Sequence, residues 1–85
     1  MSLTTSQLEQ QILDHLVAHF EAPSDATVET SFEVLEFDSL AIVELSLALT
    51  KMYSVELDDA EVKKAGSASG LAALLLNKGV TRVAG

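Results

Sequence analysis

The sequence predicts an all-α protein, a small four-helix bundle of three main helices and a short third helix, with a long loop between helices one and two. Three observations carry this expectation. Apolar residues recur at three- and four-residue steps through 8–20, 40–53 and 71–75, the period of helices buried along one side. Helix-starting residues stand ahead of the helical stretches, two of them with a capping partner three positions on. Pro23, the pair Gly66-Ser67 and Gly79 fall at the breaks between stretches.

The first helix is expected over residues 5–20. Ser6 and Glu9 have capping-box spacing, the hydroxyl serving an orphan amide and the glutamate reaching back. Leu8, Ile12, Leu16 and His19 or Phe20 form the stripe, which Leu13 and Val17 broaden. Pro23 forces the chain out of helix. Residues 21–37 form a connection in which Val28, Phe32, Val34, Leu35 and Phe37 are too apolar for a free linker, so the loop is expected to pack on the bundle. Long ordered loops in compact domains are often functional.

The second helix is expected over 39–53, with Asp38 as N-cap. Ile42, Leu45, Leu49 and Met52 or Tyr53 trace one face; Leu40, Val43 and Leu47 trace another. Helices of this size cannot wrap a helix that is apolar on two faces, so the second face is left for a partner. Val55 and Leu57 follow in a connector, and Asp58 with Glu61 caps a short third helix to about residue 64. Gly66, Ser67 and Ser69 mark a break. The last helix is expected over 68–77, with Leu71, Leu74 and Leu75 inward, ending at Lys78-Gly79. The helical core thus spans about 5–78 and residues 79–85 read as a tail, within a single domain over 1–85.

At 85 residues the chain suits one small domain of modest stability. It has no cysteine, which excludes a disulfide framework and a cysteine-ligated metal. The start lacks a signal pattern and no apolar run reaches membrane-spanning length, so a soluble cytoplasmic protein is expected. The net charge is -8 and unevenly spread: nine acids and no Lys or Arg lie in the first fifty residues, whereas Lys51, Lys63, Lys64, Lys78 and Arg82 all come later. Such a field disfavours nucleic acid and anionic membrane and steers basic partners. Acidity that merely keeps a small apolar protein soluble accounts for it equally well.

One residue stands out chemically. Ser39 sits between a loop and a strongly apolar helix, in the run Phe37-Asp38-Ser39-Leu40-Ala41-Ile42-Val43-Glu44-Leu45. A pair of ordinary capping residues would look the same in isolation. A hydrolase nucleophile would need a base in reach, but the two histidines, His15 and His19, lie on helix one and no Gly-x-Ser-x-Gly turn exists. His15 and His19 have the spacing of a metal pair but no evident third ligand, and Asp58, Asp59 and Glu61 do not fit a calcium loop, so no metal site is expected.

The stretch Phe32-Glu33-Val34-Leu35-Glu36-Phe37-Asp38-Ser39-Leu40 resembles the modification motif of acyl carrier proteins: an aromatic, two residues, leucine, glycine, one residue, then Asp-Ser-Leu. The likeness extends from helix one to helix four. It implies a non-catalytic carrier in which Ser39 bears 4′-phosphopantetheine taken from coenzyme A, with Asp38 recognised by the phosphopantetheinyl transferase. It further implies a monomer that carries acyl groups as thioesters to acyl-transferring, condensing and modifying enzymes of a polyketide or fatty-acid-like pathway, docking through Leu40, Val43, Glu44 and Leu47. A peptidyl or aminoacyl carrier, or an unmodified adaptor that only docks enzymes, shares most of these features. Where the family often has acids after Ser-Leu and late in the helix, this chain has Ala41, Thr50 and Lys51, which implies docking by apolar fit more than by charge. Glutamate at 36, where the family favours glycine, implies ordinary loop dihedrals and a changed approach to Ser39. Leu45, Leu49, Phe32 and Leu74 are candidates for lining an acyl site, though ordinary core is the favoured reading of them.

The unpaired acids predict that moderate salt or millimolar divalent cation raises the melting temperature. A flat response in a thermal melt would mean that the acids are too dispersed to repel one another.

Overall fold

Capping side chains set the start of every helix in the computed structural model, which describes residues 4–80. The helices are α1 (Thr5–His19), α2 (Ser39–Tyr53), α3 (Asp59–Ala65) and α4 (Ala68–Asn77), and no strand occurs among the described residues. Asp38, Asp58 and Ser67 each accept a hydrogen bond from the amide three residues on, at 2.9, 2.7 and 3.0 Å. The Asp58–Glu61 capping box forms as expected. At α1 the box is made by Thr4 and Gln7 and not by Ser6 and Glu9. The same spacing occurs twice in the sequence, and the earlier copy lies where the chain is still extended, so Ser6 is already inside the helix.

The core is built from Leu8, Ile12 and Leu16 of α1, Leu45 and Leu49 of α2, Val62 of α3, and Leu71 and Leu75 of α4, all fully buried. Burial of one such side chain stabilises by about 1.5–3 kcal/mol, so these residues dominate the fold. α1 lies along α4, and α3 closes the bundle by packing on both α2 and α4. Tyr53, at the end of α2, donates its hydroxyl to Gln11 Oε1 of α1 at 3.0 Å. Burial pushes the Tyr53 phenol above its usual pKa. On α4, Leu71 and Leu75 point inward as expected, whereas Leu74 is half-buried. Val17 is exposed and does not broaden the α1 stripe.

The long first loop packs against the bundle through Phe32, which is buried, and through half-buried Val28, Leu35 and Phe37. Val34 does not join them; it is 73% exposed at the crown of a helical turn. Two backbone hydrogen bonds pin the loop to the corner between α3 and α4. The Phe32 amide donates to the Gly66 carbonyl at 2.8 Å, and the Ser69 amide donates to the Val28 carbonyl at 2.7 Å. An aromatic series, His15–Phe20–Phe37–Phe32, with ring centroids 5.7, 5.9 and 5.4 Å apart, fills the space between the loop and the end of α1.

α4 ends as the Lys78-Gly79 pattern predicts. Gly79 is left-handed (φ 90°), and the Val80 amide returns to the Leu75 carbonyl at 3.0 Å. Val80 is buried, so the first part of the expected tail is fixed to the bundle. The rest, 81–85, lies outside the described residues.

Gly70 is what lets the α3–α4 corner close. A Cβ at this position would overlap the carbonyl of Ala65, a backbone group that cannot swing away. Gly70→Ala should therefore destabilise by about 1–3 kcal/mol or more, the cost of overpacking, although alanine is the better helix former. Denaturant unfolding measures this, and an unchanged midpoint would show that the corner is looser than described.

Candidate functional site

The site begins with the cap of α2. Asp38 is extended, its side chain accepts from the Ala41 amide at 2.9 Å, and its carbonyl accepts from the Ile42 amide at 3.0 Å. This cap makes Ser39 the first helical residue, exposed to solvent, with its hydroxyl free of any hydrogen bond among the described residues. The Ser39 and Leu40 amides likewise have no partner among the described residues, so the helix offers two N–H donors and the positive end of its dipole beside that hydroxyl.

The approach to Ser39 is set by one helical turn at residues 32–36. The Glu36 amide donates to the Glu33 carbonyl at 3.1 Å and the Phe37 amide to the Phe32 carbonyl at 3.0 Å, the paired closure that ends a helix in a left-handed residue. Glu36 is that residue, with φ 59°. The expectation of ordinary dihedrals at this position is therefore wrong. The closure demands the left-handed conformation, and glutamate adopts it at a steric cost that glycine would not incur.

Ser39 opens on a half-open cleft of about 710 Å³ between the first loop, the start of α2, and α3. This falls within the roughly 300–1,000 Å³ of small-molecule sites, so a phosphate and an extended chain have room beside the hydroxyl. Phe37, Ile42 and Ala60 give its wall apolar surface, and Glu33, Asp59 and Lys63 give it charge. The candidate acyl-lining residues lie elsewhere. Phe32, Leu45 and Leu49 are closed into the core, and Leu74 borders a separate pocket with Glu61 and Gly70. The α3 residues of the cleft were not linked to Ser39 from the sequence, where Asp59 was weighed only as part of a calcium loop, because no local period reveals that α3 returns beside Ser39.

Along α2, the expected docking residues share an open face. Leu40 and Leu47 are each 65% exposed and Val43 is 38% exposed, with Glu44 also exposed among them. The buried face of the same helix carries Ile42, Leu45, Leu49 and Tyr53. The rings of His15 and His19 lie tilted at 39° to one another with centroids 4.6 Å apart. Burial, and secondarily the neighbouring His19, lowers the pKa of His15. No group of three or more metal-ligating side chains occurs among the described residues. Lys78 pairs with Glu61 at 2.9 Å, and this contact, with the Asp58 amide, holds the Glu61 carboxyl below its usual pKa.

These features define a small helical domain with an exposed hydroxyl at one helix start and a cleft beside it. The model of the phosphopantetheine attachment site family matches residues 10–75. That is most of the 85-residue chain, and the protein belongs to this family, a domain that is the attachment site for covalent 4′-phosphopantetheine. No solved structure matches the chain. The site fits the group: an accessible hydroxyl, unpaired helix amides suited to an anion, and a cleft alongside.

Glu36→Gly should stabilise the protein by about 0.5–1 kcal/mol by relieving the left-handed residue, less the added freedom of the unfolded chain. Glu36→Gln, which removes only the charge, should leave the melting temperature near that of the parent. Equal effects of the two substitutions would assign the gain to charge and not to backbone.

Proposed function

We propose that the protein is an acyl carrier, in which Ser39 bears the phosphopantetheine and the thiol at its far end holds acyl intermediates as thioesters for partner enzymes. The placement of Ser39 carries this reading. Among the other serines of the matched segment, Ser46 is buried and donates to the Val43 carbonyl, Ser67 caps α4, Ser31 accepts from the Val34 amide, and Ser54 is the left-handed cap of α2. Ser24 and Ser69 neither open a helix nor line the cleft. Ser39 alone combines exposure, a helix N-terminus and open space beside it.

The protein is then a substrate, not a catalyst. A transferase with its own metal ion activates coenzyme A, the Ser39 hydroxyl attacks phosphorus, and the nucleotide portion leaves. The α2 amides stabilise the anion that remains. Asp38 holds the cap and, being exposed, stays available for recognition by the transferase. Leu40, Val43, Glu44 and Leu47 are proposed to dock partner enzymes, by the apolar fit of Leu40, Val43 and Leu47 more than by the charge of Glu44. An open stripe of a few residues suits the brief contacts of a cytoplasmic, monomeric carrier that must pass between active sites. No helix among the described residues is long and apolar enough to cross a membrane.

The acyl cargo, in a polyketide or fatty-acid-like pathway, is favoured over a peptidyl or aminoacyl one by the motif, which lacks the paired glycines before the serine of peptidyl carriers. The left-handed Glu36 qualifies this contrast, since the backbone keeps the form that glycine would give. Incubation with coenzyme A and a broad-specificity transferase should add one phosphopantetheine by intact mass, and Ser39→Ala should add none. No gain in the parent protein, or a gain that survives the substitution, contradicts the assignment.

A further inference from the structure

The charges around the cleft are unbalanced. Glu33, Asp38 and Asp59 line it as acids, and Lys63 is the one base among its lining residues. An anion attached to Ser39 would therefore enter a field that is already negative. Lys63 is placed to answer it. It is exposed in the last turn of α3 and makes no ion pair among the described residues, not even with Asp59 one turn earlier on the same helix. The neighbouring Lys64 borders a different pocket, with Glu61, Ala65, Gly70 and Leu74. Two adjacent lysines thus serve different sides of α3, and only one shares a cleft with Ser39.

We propose that Lys63 is the counter-ion of the phosphodiester on Ser39, and that this pairing lays the arm into the cleft between the first loop and α3. The proposal rests on the reading of Ser39 as the attachment point. Lys63 is a positioning residue: it makes no covalent bond and acts by holding one anion. The apolar surface of Phe37, Ile42 and Ala60 then lies along the path of the arm. An exposed ion pair is weak and screened by salt. That weakness is useful here, because a partner that brings its own cation to the phosphodiester displaces Lys63 and frees the arm.

The test compares the parent protein with Lys63→Gln, Lys63→Arg and Lys64→Gln. Each is incubated with coenzyme A and transferase, and intact mass establishes loading before any other measurement. The arm thiol is then alkylated with iodoacetamide, a neutral reagent that does not sense the protein's net charge. At low salt Lys63→Gln should react about two- to fivefold faster than the parent, the range that an exposed ion pair commands. Lys63→Arg and Lys64→Gln should match the parent, and high salt should bring all four rates together. In addition, the amide shifts of Ala60 and Gly66 should change on loading in the parent and change less in Lys63→Gln. A Lys63→Gln rate equal to the parent's, or an equal acceleration by Lys64→Gln, overturns the proposal while leaving Ser39 as the attachment point. A parent protein that accepts no arm at Ser39 overturns both readings, and the mass shows this first.

Discussion

The corner between α3 and α4 is the constraint on which the site depends. Gly70 allows the two helices to meet backbone to backbone, and the corner then offers the Gly66 carbonyl and the Ser69 amide to the first loop. Each of those hydrogen bonds adds only about 0.5–1.5 kcal/mol net. Their larger effect is geometric, since they fix a long connection at two points shortly before Ser39. With Phe32 buried behind them, the helical turn at 32–36 can deliver the chain to the α2 cap in one orientation. The same corner sets α3 beside the start of α2 and so forms the cleft.

Most of the helical layout was legible in the sequence. The starts of α2 and α4 and the end of α4 follow from Asp38, the Gly66-Ser67 break and Gly79, because capping and chain reversal are local matters of a few residues. α3 was legible for the same reason, through Asp58 and Glu61. Local spacing became ambiguous at α1, where Thr4-Gln7 and Ser6-Glu9 offer the same chemistry and only the backbone decides between them. Val34 misled because hydrophobicity alone does not say which side of an irregular turn faces the core.

Two features of the site were beyond local reading. The identity of residue 36 suggested ordinary dihedrals, but the hydrogen bonds of the turn impose a left-handed residue whatever its side chain. The Lys63 side of the cleft depends on a contact between segments far apart in sequence, and no periodicity encodes that. The position of Ser39 at the start of α2 was legible because capping by Asp38 is local, whereas its candidacy as the attachment point came from the resemblance of residues 32–40 to the carrier motif. The two faces of α2 were legible too, since a helix with apolar residues on both sides in so small a bundle must leave one of them open.

What the fold provides is a rigid start to α2, with an exposed hydroxyl at its tip, an open apolar stripe along its side and a charged cleft at its foot. The account stands or falls on which side chain receives the phosphopantetheine. Tandem mass spectrometry of peptides from the protein purified from its native source addresses this directly. The account predicts the modification on the peptide containing Ser39, localised to that residue. Its localisation to any other serine, or a uniformly unmodified Ser39 peptide, would contradict it.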